Sequence, residues 1–381
     1  MTVTSLPSSP AVMPDGGSVE HRAASATARN RHPNSSFTAL SRMIHEAGLM
    51  RRRYGYYWTK LIGLTAMLIA AGVVFVLVGD SWWQLALAGI LALVLVQMAF
   101  LGHDAAHRQI FKSGKWNDWV SLIIANLLVG ISSGWWQGKH NKHHGNPNKE
   151  GVDPDIDLAV FSLTPERIEN YRSRTMRWLA MHQGWFFFPM LLLEGLSLHT
   201  NSVRRVFGSR RIERRWAEIS LLTLRLGGYL AVVFLLLPPG KAAAFLGLEV
   251  AVFGLYLGAA FAPNHIGMPL ISRRIKLDFL NRQVLTSRNV SGGRLVATLM
   301  GGLNYQVEHH LFPSMARPYL RRAQVIVAAY CADQRVRYTS MTPWQSYRSV
   351  VSHLNTVGLR RNDPFLCPLV AQRRSGQCGA S

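Results

Sequence analysis

Acidic side chains and cysteines are scarce in this chain of 381 residues, and each scarcity excludes a class of protein. Asp and Glu number 20 against 42 Lys and Arg, and charged residues are 16% of the total, where a soluble domain has about 25%. With three cysteines and no Cys-x-x-Cys pair, neither a disulfide framework nor a zinc knuckle is predicted, and the thiols fit a reducing compartment. The first 40 residues lack the apolar segment of a cleaved signal peptide. A hydrophobic share of 49%, gathered in blocks, argues against a disordered chain and against a simple soluble globule.

Apolar runs long enough to cross a bilayer, which takes about 20 helical residues, are the main feature of the sequence. Four spans are predicted, at about 61–79, 81–102, 216–237 and 242–262. The first two are separated by little more than Asp80, and the last two by Pro238-Pro239-Gly240. The order is therefore hairpin, polar block, hairpin, polar block.

Three further apolar stretches, Trp119–Trp136, Trp178–Leu198 and Leu295–Leu303, are ambiguous, and the last is too short to span. Basic residues flank Trp178–Leu198 on both sides: Arg167, Arg172, Arg174 and Arg177 before it, and Arg204, Arg205, Arg210, Arg211, Arg214 and Arg215 after it. Because basic flanks face the cytoplasm, this stretch is predicted to lie in the interface or to re-enter. Four spans then leave both termini in the cytoplasm.

The predicted organisation has one membrane domain between two tails. Residues 1–40 are rich in Ser, Ala, Pro and Gly and are predicted to form a disordered tail. Residues 41–335 form the membrane domain, and 336–381 form a cytoplasmic C-terminal tail, which has a disordered composition from about Pro364.

Two charged residues fall inside predicted spans. Arg225 lies near the cytoplasmic end of the third span, and Glu249 lies deeper in the fourth. Intramembrane carboxylates are costly and are usually paired. Reflection through the Pro-Pro-Gly turn brings Arg225 about one helical turn from Glu249, so the sequence allows an ion pair or, alternatively, a lone protonated Glu249.

Histidines are clustered at the cytoplasmic ends of the predicted spans. The clusters are His103 and His107, His140 with His143 and His144, His265 alone, and His309 with His310. Spacings of three and four residues place the rings of a cluster on one helical face. A lone histidine is usually a satisfied polar residue, but eight on one side of the membrane indicate a metal site. The ligand type allows Fe, Zn or Cu, and eight ligands suit two ions.

Three of these clusters carry a resemblance to the membrane fatty acid desaturases. His103-Asp-Ala-Ala-His107, His140-Asn-Lys-His143-His144 and Gln306-Val-Glu-His309-His310 resemble the three histidine boxes of that family, over about residues 55–335. The stretch Gly301–Pro313 and Asp153-Pro-Asp-Ile-Asp157 are similar to its acyl-lipid, front-end and actinobacterial acyl-CoA branch.

The resemblance implies an all-α integral membrane protein with four transmembrane helices in two hairpins and a cytoplasmic helical cap that carries a di-iron site. The enzyme would use O₂ to introduce a double bond into a fatty acyl chain carried by CoA or a lipid. The implied iron ligands are the box histidines and the histidine after the fourth span: His103, His107, His140, His143, His144, His265, His309 and His310.

Further polar residues receive roles from the same resemblance. Gln306 stands where other branches have histidine and is a weak ligand, a water-mediated ligand or a hydrogen-bond donor. Asn264 is expected to hold a water or to orient a neighbouring ring. Four carboxylates are candidate acceptors for ligand N–H groups, namely Asp104, Glu308, Asp153 and Asp155; for the last two, a solvated surface role is equally compatible.

Electrons are expected to come from a separate protein, such as a ferredoxin or a cytochrome b5-type protein with its reductase, because the His-Pro-Gly-Gly haem motif of front-end desaturases is absent. The basic cytoplasmic face would suit an acidic donor, although bilayer anchoring explains the same charge. Nucleic acid is not an expected partner. A bacterial plasma membrane is the expected location. Two alternatives remain: a hydroxylase or ketolase on the same scaffold, and a non-catalytic haem- or metal-binding membrane protein.

Overall fold

Helices form almost all of the regular structure in the computed structural model, which describes residues 35–156, 161–163, 168, 170–209 and 211–359. The first half contains α1 (Ser35–Glu46), α2 (Tyr54–Val78), α3 (Gln84–Ala106), α4 (Gly114–Leu122), the π-helix π1 (Ile123–Val129), α5 (Ser133–Gly145), α6 (Arg174–Met181), α7 (Phe187–Leu191) and α8 (Glu194–Phe207). The second half contains α9 (Arg215–Thr223), the π-helix π2 (Leu224–Gly228), α10 (Tyr229–Leu236), α11 (Pro239–His265), α12 (Phe279–Leu285), α13 (Gly293–Leu299), α14 (Gln306–Leu311), a 3₁₀ turn (Arg317–Tyr319), α15 (Leu320–Asp333) and α16 (Pro343–Gly358). Two short strands, β1 (Asn289–Val290) and β2 (Ser340–Met341), pair in parallel.

Among the described residues, four helices are long and apolar enough to cross a membrane, in agreement with the predicted count. They are Tyr54–Val78, Gln84–Ala106, Arg215–Leu236 (α9, π2 and α10 together) and Pro239–His265. The first begins seven residues before its predicted start, because aromatic residues such as Tyr54 and Trp58 extend the helix beyond the continuous apolar run. Gly79 ends α2 with a positive φ of 56°, and Pro238 precedes α11. The two connecting turns lie at one face of the molecule, where Lys241 Nζ is 2.6 Å from Asp80 Oδ1.

The ambiguous stretches are broken into short helices. Trp178–Leu198 is divided among α6, α7 and α8, none of which reaches the length of a span. Trp119–Trp136 runs through α4 and π1 and then bends by 116° into α5. Gly130 makes this bend with a φ of 90°, where its missing side chain leaves room for His199. If the bent pair counted as one span, the chain would have five.

Two helices lie within the predicted tails where the structure describes them. α1 starts at Ser35, inside the predicted tail 1–40, and it buries Leu40 and Ile44 against α12 and α15. α16 occupies much of the predicted tail 336–381 and buries Val350 and Leu354. Both helices are amphipathic. Their apolar residues are separated by polar ones, so the overall composition of each segment does not indicate a helix. The remaining parts of these predictions, residues 1–34 and the stretch from about Pro364, lie outside the described residues.

The pair of charges inside the third and fourth spans is confirmed. Arg225 Nη2 lies 3.6 Å from Glu249 Oε1, and the hydroxyl of Tyr229 donates to Glu249 Oε2. The Arg225 guanidinium also stacks on Tyr229 and donates to the carbonyl of Leu128. Because both charges have partners, the carboxylate within the span does not remain isolated.

Candidate metal centre

The last turn of α3 presents two histidines to the histidines of α5. His103 and His107 lie four residues apart on α3 and its C-cap, so both rings leave the same face. The Nε2 atoms of His103 and His107 are 3.2 and 2.8 Å from Nε2 of His140. His309 lies close to both rings of the first pair, at 4.8 Å between ring centroids.

The eight histidines fall into two adjacent sets, each with converging ring nitrogens. In each set, one nitrogen from every member lies within 4.8 Å of all the others. Set A contains His103, His107, His140, His144 and His309. Set B contains His143, His265 and His310. The sets adjoin each other, since His144 of set A stacks on His310 of set B with 4.2 Å between ring centroids.

Gln306 completes the ring of polar atoms around set B. Its Nε2 lies 2.9 Å from Nε2 of His265, which is itself 3.3 Å from Nε2 of His143. The side chain is buried, as are those of His143 and His310. Set B therefore offers three imidazoles and one amide to a common point.

Buried ring nitrogens without a partner show that the arrangement fits metal ions. Among the described residues, both ring nitrogens of His144 and the Nε2 atoms of His309 and His310 have no hydrogen-bond partner. Buried polar atoms without a partner are costly, so their retention indicates a ligand. Burial, together with neighbouring imidazoles, lowers the pKa of His140, His144, His309 and His310 well below the usual value. Burial lowers the pKa of His107 to about 3. Neutral imidazoles keep the lone pair that a metal ion needs.

Three further groups fix the orientation of the set B rings. His143 Nδ1 donates to Asp153 Oδ2 at 2.9 Å, His310 Nδ1 donates to Gln283 Oε1 at 3.0 Å, and His265 Nδ1 donates to the Thr286 carbonyl at 3.0 Å. In each ring Nε2 is then left for the centre. Burial opposes protonation of His143, but the carboxylates of Asp153 and Asp155 outweigh it and raise its pKa.

The four predicted carboxylates differ in their surroundings. Asp153 is buried against His143, and Asp155 Oδ2 lies 3.4 Å from the same Nδ1. Asp104 Oδ2 instead pairs with Arg317 at 2.6 Å, while its other oxygen is 3.7 Å from the ring of His103. Among the described residues, the hydrogen-bond partners of the Glu308 carboxylate are Asn289 and Tyr338, so its predicted contact with a ligand N–H is wrong.

Glu308 turns away because it lies two residues from both Gln306 and His310 on α14, which places it on the opposite face of that helix. Asn289 Nδ2 is 2.7 Å from Glu308 Oε2, and Tyr338 donates to Oε1 at 2.8 Å. Burial raises the pKa of Glu308 to about 7, although these hydrogen bonds oppose the shift. Among the described residues, Asn264 donates no hydrogen bond to a ring: its Nδ2 lies 3.4 Å from Gln306 Oε1. Its Oδ1 is buried without a hydrogen-bond partner, and the role of holding a water stays a prediction.

Sequence reasoning missed Gln283, Thr286, Arg288 and Arg317. Arg288 is fully buried and donates to the carbonyls of Pro263 and Ile266, so it holds the end of α11 that carries His265. These residues match no short motif, since their contacts join segments that lie 20 or more residues apart. No spacing rule in the sequence could have found them.

A cavity of about 160 Å³ reaches the histidines from one side. Its lining includes His140, His143, His265 and Gln306, and apolar side chains from α7, α8 and α11. A smaller, apolar cavity of about 60 Å³ lies beside His103. Both cavities share four lining residues, Trp136, Leu198, Leu257 and Phe261. Together they offer an apolar path past both histidine sets.

Comparison with known proteins gives one family. The model of a family described as fatty acid desaturase matches residues 80–342. The chain is 31% identical to a Delta(6)-fatty-acid desaturase of Caenorhabditis elegans, over 82% of this chain and 72% of that protein. It is 30% identical to a Delta(5) fatty acid desaturase of the same organism, over 81% and 71%. It is 27% identical to a Delta(8)-fatty-acid desaturase of Helianthus annuus, over 86% and 74%.

Proposed function

We propose a reaction from the premise that this chain belongs to the fatty acid desaturase family and is an oxidoreductase. The reaction is the O₂-dependent conversion of a single carbon–carbon bond in a carrier-bound acyl chain to a double bond. Two hydrogens leave adjacent methylenes, two further electrons and two protons are supplied, and O₂ becomes two waters. The observation that carries the proposal is the pair of converging histidine sets beside an apolar cavity.

Set A would hold one iron ion, and set B with Gln306 would hold the other. The irons supply the activation of O₂ that an unactivated C–H bond requires, which Zn²⁺ cannot supply because it has no redox chemistry. Asp153 accepts a hydrogen bond from Nδ1–H of His143, so that Nε2 keeps its lone pair for the metal ion. Gln283 does the same for His310. Gln306 can bind through its amide oxygen after a half-turn of the amide, since oxygen and nitrogen exchange places.

The acyl chain would lie in the two cavities, with its reacting methylenes beside the histidines. Leu191, Leu198, Leu257 and Phe261 supply apolar surface, and they exclude water from the region around set B. Trp136 stacks on His140 with 4.3 Å between ring centroids and lines both cavities. It therefore fixes a ligand ring and contacts the substrate path.

Both termini and all eight histidines would face the cytoplasm, in the plasma membrane of a bacterium. The support is the excess of basic residues beside α8 and the single lysine beside the opposite turns. The histidines of α3 and α11 lie at the helix ends remote from Asp80 and Lys241.

Electrons would come from a separate acidic one-electron donor, of the ferredoxin or cytochrome b5 type, with its reductase. The half-buried His107 and His144 have the exposed Arg108 and Lys142 close to them in the chain. Positive charge next to the most accessible part of set A would attract an acidic partner and raise its association rate.

The test is analysis of cellular fatty acids by gas chromatography–mass spectrometry, with and without the protein, in a host that supplies an electron donor. We expect new unsaturated acyl chains with the natural chain and none with His140→Ala. The matched control is His45→Ala, which changes an exposed histidine outside both sets. Hydroxylated chains in place of unsaturated ones would favour the hydroxylase alternative. A haem absorption band in the purified protein without new acyl products would favour the haem-binding alternative.

A further inference from the structure

The cavity of about 160 Å³ has one polar corner that carries charged side chains. Lys139, Asp155 and Glu194 meet there, on α5, on the loop after it and on α8. The rest of the wall consists of leucine, isoleucine, phenylalanine, tryptophan and small residues, together with Asn148, Gln306 and the histidines of the site. A charged group in such a cavity is costly unless it has a partner or a ligand.

The Lys139 ammonium is held in place and keeps donors free. Its Nζ lies 2.8 Å from Oδ1 of Asp155, whose other oxygen is 3.4 Å from Nδ1 of His143. An ammonium has three N–H donors, so this ion pair leaves the others for a ligand. Asp155 thus connects Lys139 with His143 of set B. The polar corner faces the part of the cavity beside His140 and His143.

An acyl chain attached to a carrier has one polar atom group, the carbonyl of its ester or thioester, followed by methylenes only. The two cavities match this order. The polar corner belongs to the larger one, and the smaller, apolar cavity beside His103 (the apolar chamber) adjoins it at the shared residues Trp136 and Phe261. The carbonyl therefore fits the Lys139 corner, and the methyl end fits the chamber beside His103.

We propose that Lys139 binds the carbonyl oxygen of the acyl ester or thioester and so fixes which methylenes lie beside the histidines. The proposal rests on the proposed desaturase function and adds a residue that determines regioselectivity. The double bond is then placed at a constant distance from the carbonyl, whatever the length of the chain beyond it.

Charge in the same corner selects the substrate class. Asp155 and Glu194 supply two carboxyl groups against the one ammonium of Lys139. A free fatty acid would bring a further carboxylate next to them, and like charges at close range repel. A neutral ester or thioester carbonyl accepts a hydrogen bond from Lys139 without adding charge. The free acid is therefore a poor substrate.

The test compares purified natural chain, loaded with iron and supplied with a ferredoxin and its reductase, with Lys139→Met, Lys139→Arg and Lys115→Met. The probes are palmitoyl and stearoyl groups as CoA thioesters, as phosphatidylcholine esters and as free acids. Double-bond positions are read by mass spectrometry of the products, with KM, kcat and iron content for each protein. Lys115→Met is the control, because Lys115 is an exposed lysine on α4 that lines neither cavity.

For the natural chain we expect one position, counted from the carbonyl, for both chain lengths and little product from the free acids. Lys139→Met should give several positions and a rise in KM of about tenfold, the loss expected for one hydrogen bond to a charged group. Iron content should be unchanged, Lys139→Arg should restore a single position, and Lys115→Met should match the natural chain.

A purely structural role for Lys139, acting through Asp155 on His143, gives a different result. Lys139→Met would then lose iron and kcat with the position unchanged, and Lys139→Met/Asp155→Asn would recover both. That result, or identical products from the natural chain and Lys139→Met, overturns the proposal. A natural chain that is inactive on every ester and thioester would instead contradict the proposed function itself.

Discussion

Single side chains outside the histidine motifs determine which ring nitrogens face the centre. His265 shows this most clearly, because the Thr286 carbonyl accepts a hydrogen bond from its Nδ1–H and Gln306 lies at its Nε2. Arg288 holds the carbonyls of Pro263 and Ile266 on either side of it. The ring of His265 is therefore oriented by contacts from two other segments of the chain, residues 286–288 and Gln306, and not by its position at a helix end alone.

His265→Gln should remove metal from set B. Iron measured by mass spectrometry should fall from about two ions per chain toward one, and desaturation should be lost, while the protein still inserts and accumulates. The control is His199→Gln, which alters a histidine on α8 that bonds two backbone carbonyls and belongs to neither set. Full iron content and normal product in His265→Gln would reduce His265 to a helix cap, a role that contributes about 1 kcal/mol at most.

Glu308 gives a prediction about pH. Burial raises its pKa from 4.5 to about 7 in the folded protein, so the folded state binds a proton that the unfolded state releases between these values. Its contribution to stability therefore decreases as the pH rises from about 4.5 to 7, by a total on the order of 3 kcal/mol.

Glu308→Gln imitates the protonated group and should remove that slope. The thermal midpoint in detergent should equal that of the natural chain at pH 5 and exceed it at pH 8. Asp333→Asn, which changes an exposed carboxylate at the end of α15, is the control. Equal midpoints for Glu308→Gln and the natural chain across the whole range would show that the buried carboxyl does not titrate in this window.

Glycine allows α8 to pack closely against α11, the fourth candidate span. Gly195 of α8 and Gly254 of α11 meet so closely that a Cβ on Gly254 would lie 2.3 Å from the backbone nitrogen of Gly195. Small residues allow such close approach of helices within a membrane. Since α8 supplies Leu198 and Glu194 to the cavity, this contact also sets the cavity's width.

Gly254→Leu should separate α8 from α11 and lower both the thermal midpoint and the activity. Overpacking of this kind costs about 1–3 kcal/mol when neighbours can move, and here the neighbouring atoms are backbone. Gly247→Leu is the matched control, because it introduces the same side chain on the same helix where a Cβ meets nothing within 4 Å. Comparable losses in both variants would mean that the added leucine, and not the crossing, is responsible.

At the level of elements, the sequence predicted what continuous apolar runs and histidine spacing can encode. The four spans and the Arg225–Glu249 pair follow from such local patterns. α1 and α16 do not, because their apolar residues recur only every three or four positions among polar ones. Asp153, which accepts a hydrogen bond from His143, could be predicted because it follows the second histidine box closely in the sequence. Gln283 and Arg317 could not, because their contacts with the site are tertiary.

The described part of the molecule presents two short turns at one face and the eight histidines of sets A and B toward the other. Asp80 and Lys241 form an ion pair that joins the two turns. Basic residues beside α8 favour a cytoplasmic location for the histidine side, so we expect the turns at the outer face.

Cysteine labelling tests this orientation. In a background with the three natural cysteines replaced, a cysteine at position 80 or 241 should react with a membrane-impermeant maleimide in intact cells. A cysteine at Ser209 should react only after the membrane is opened. Labelling of the Ser209 position from outside intact cells would contradict both the four-span topology and the cytoplasmic location of the histidines.

α16 has a consequence for the order in which the protein is made. Every histidine of the two sets precedes residue 311, whereas Val350 and Leu354 pack with Phe161, Leu163, Leu191 and Ile266, four residues that line the cavity. Tyr347 also donates to the Ala259 carbonyl on α11. A ribosome therefore releases both histidine sets before it releases the helix that supports the wall of this cavity. A nascent chain interrupted after Asp333 would be equipped to take up metal before it could enclose a substrate.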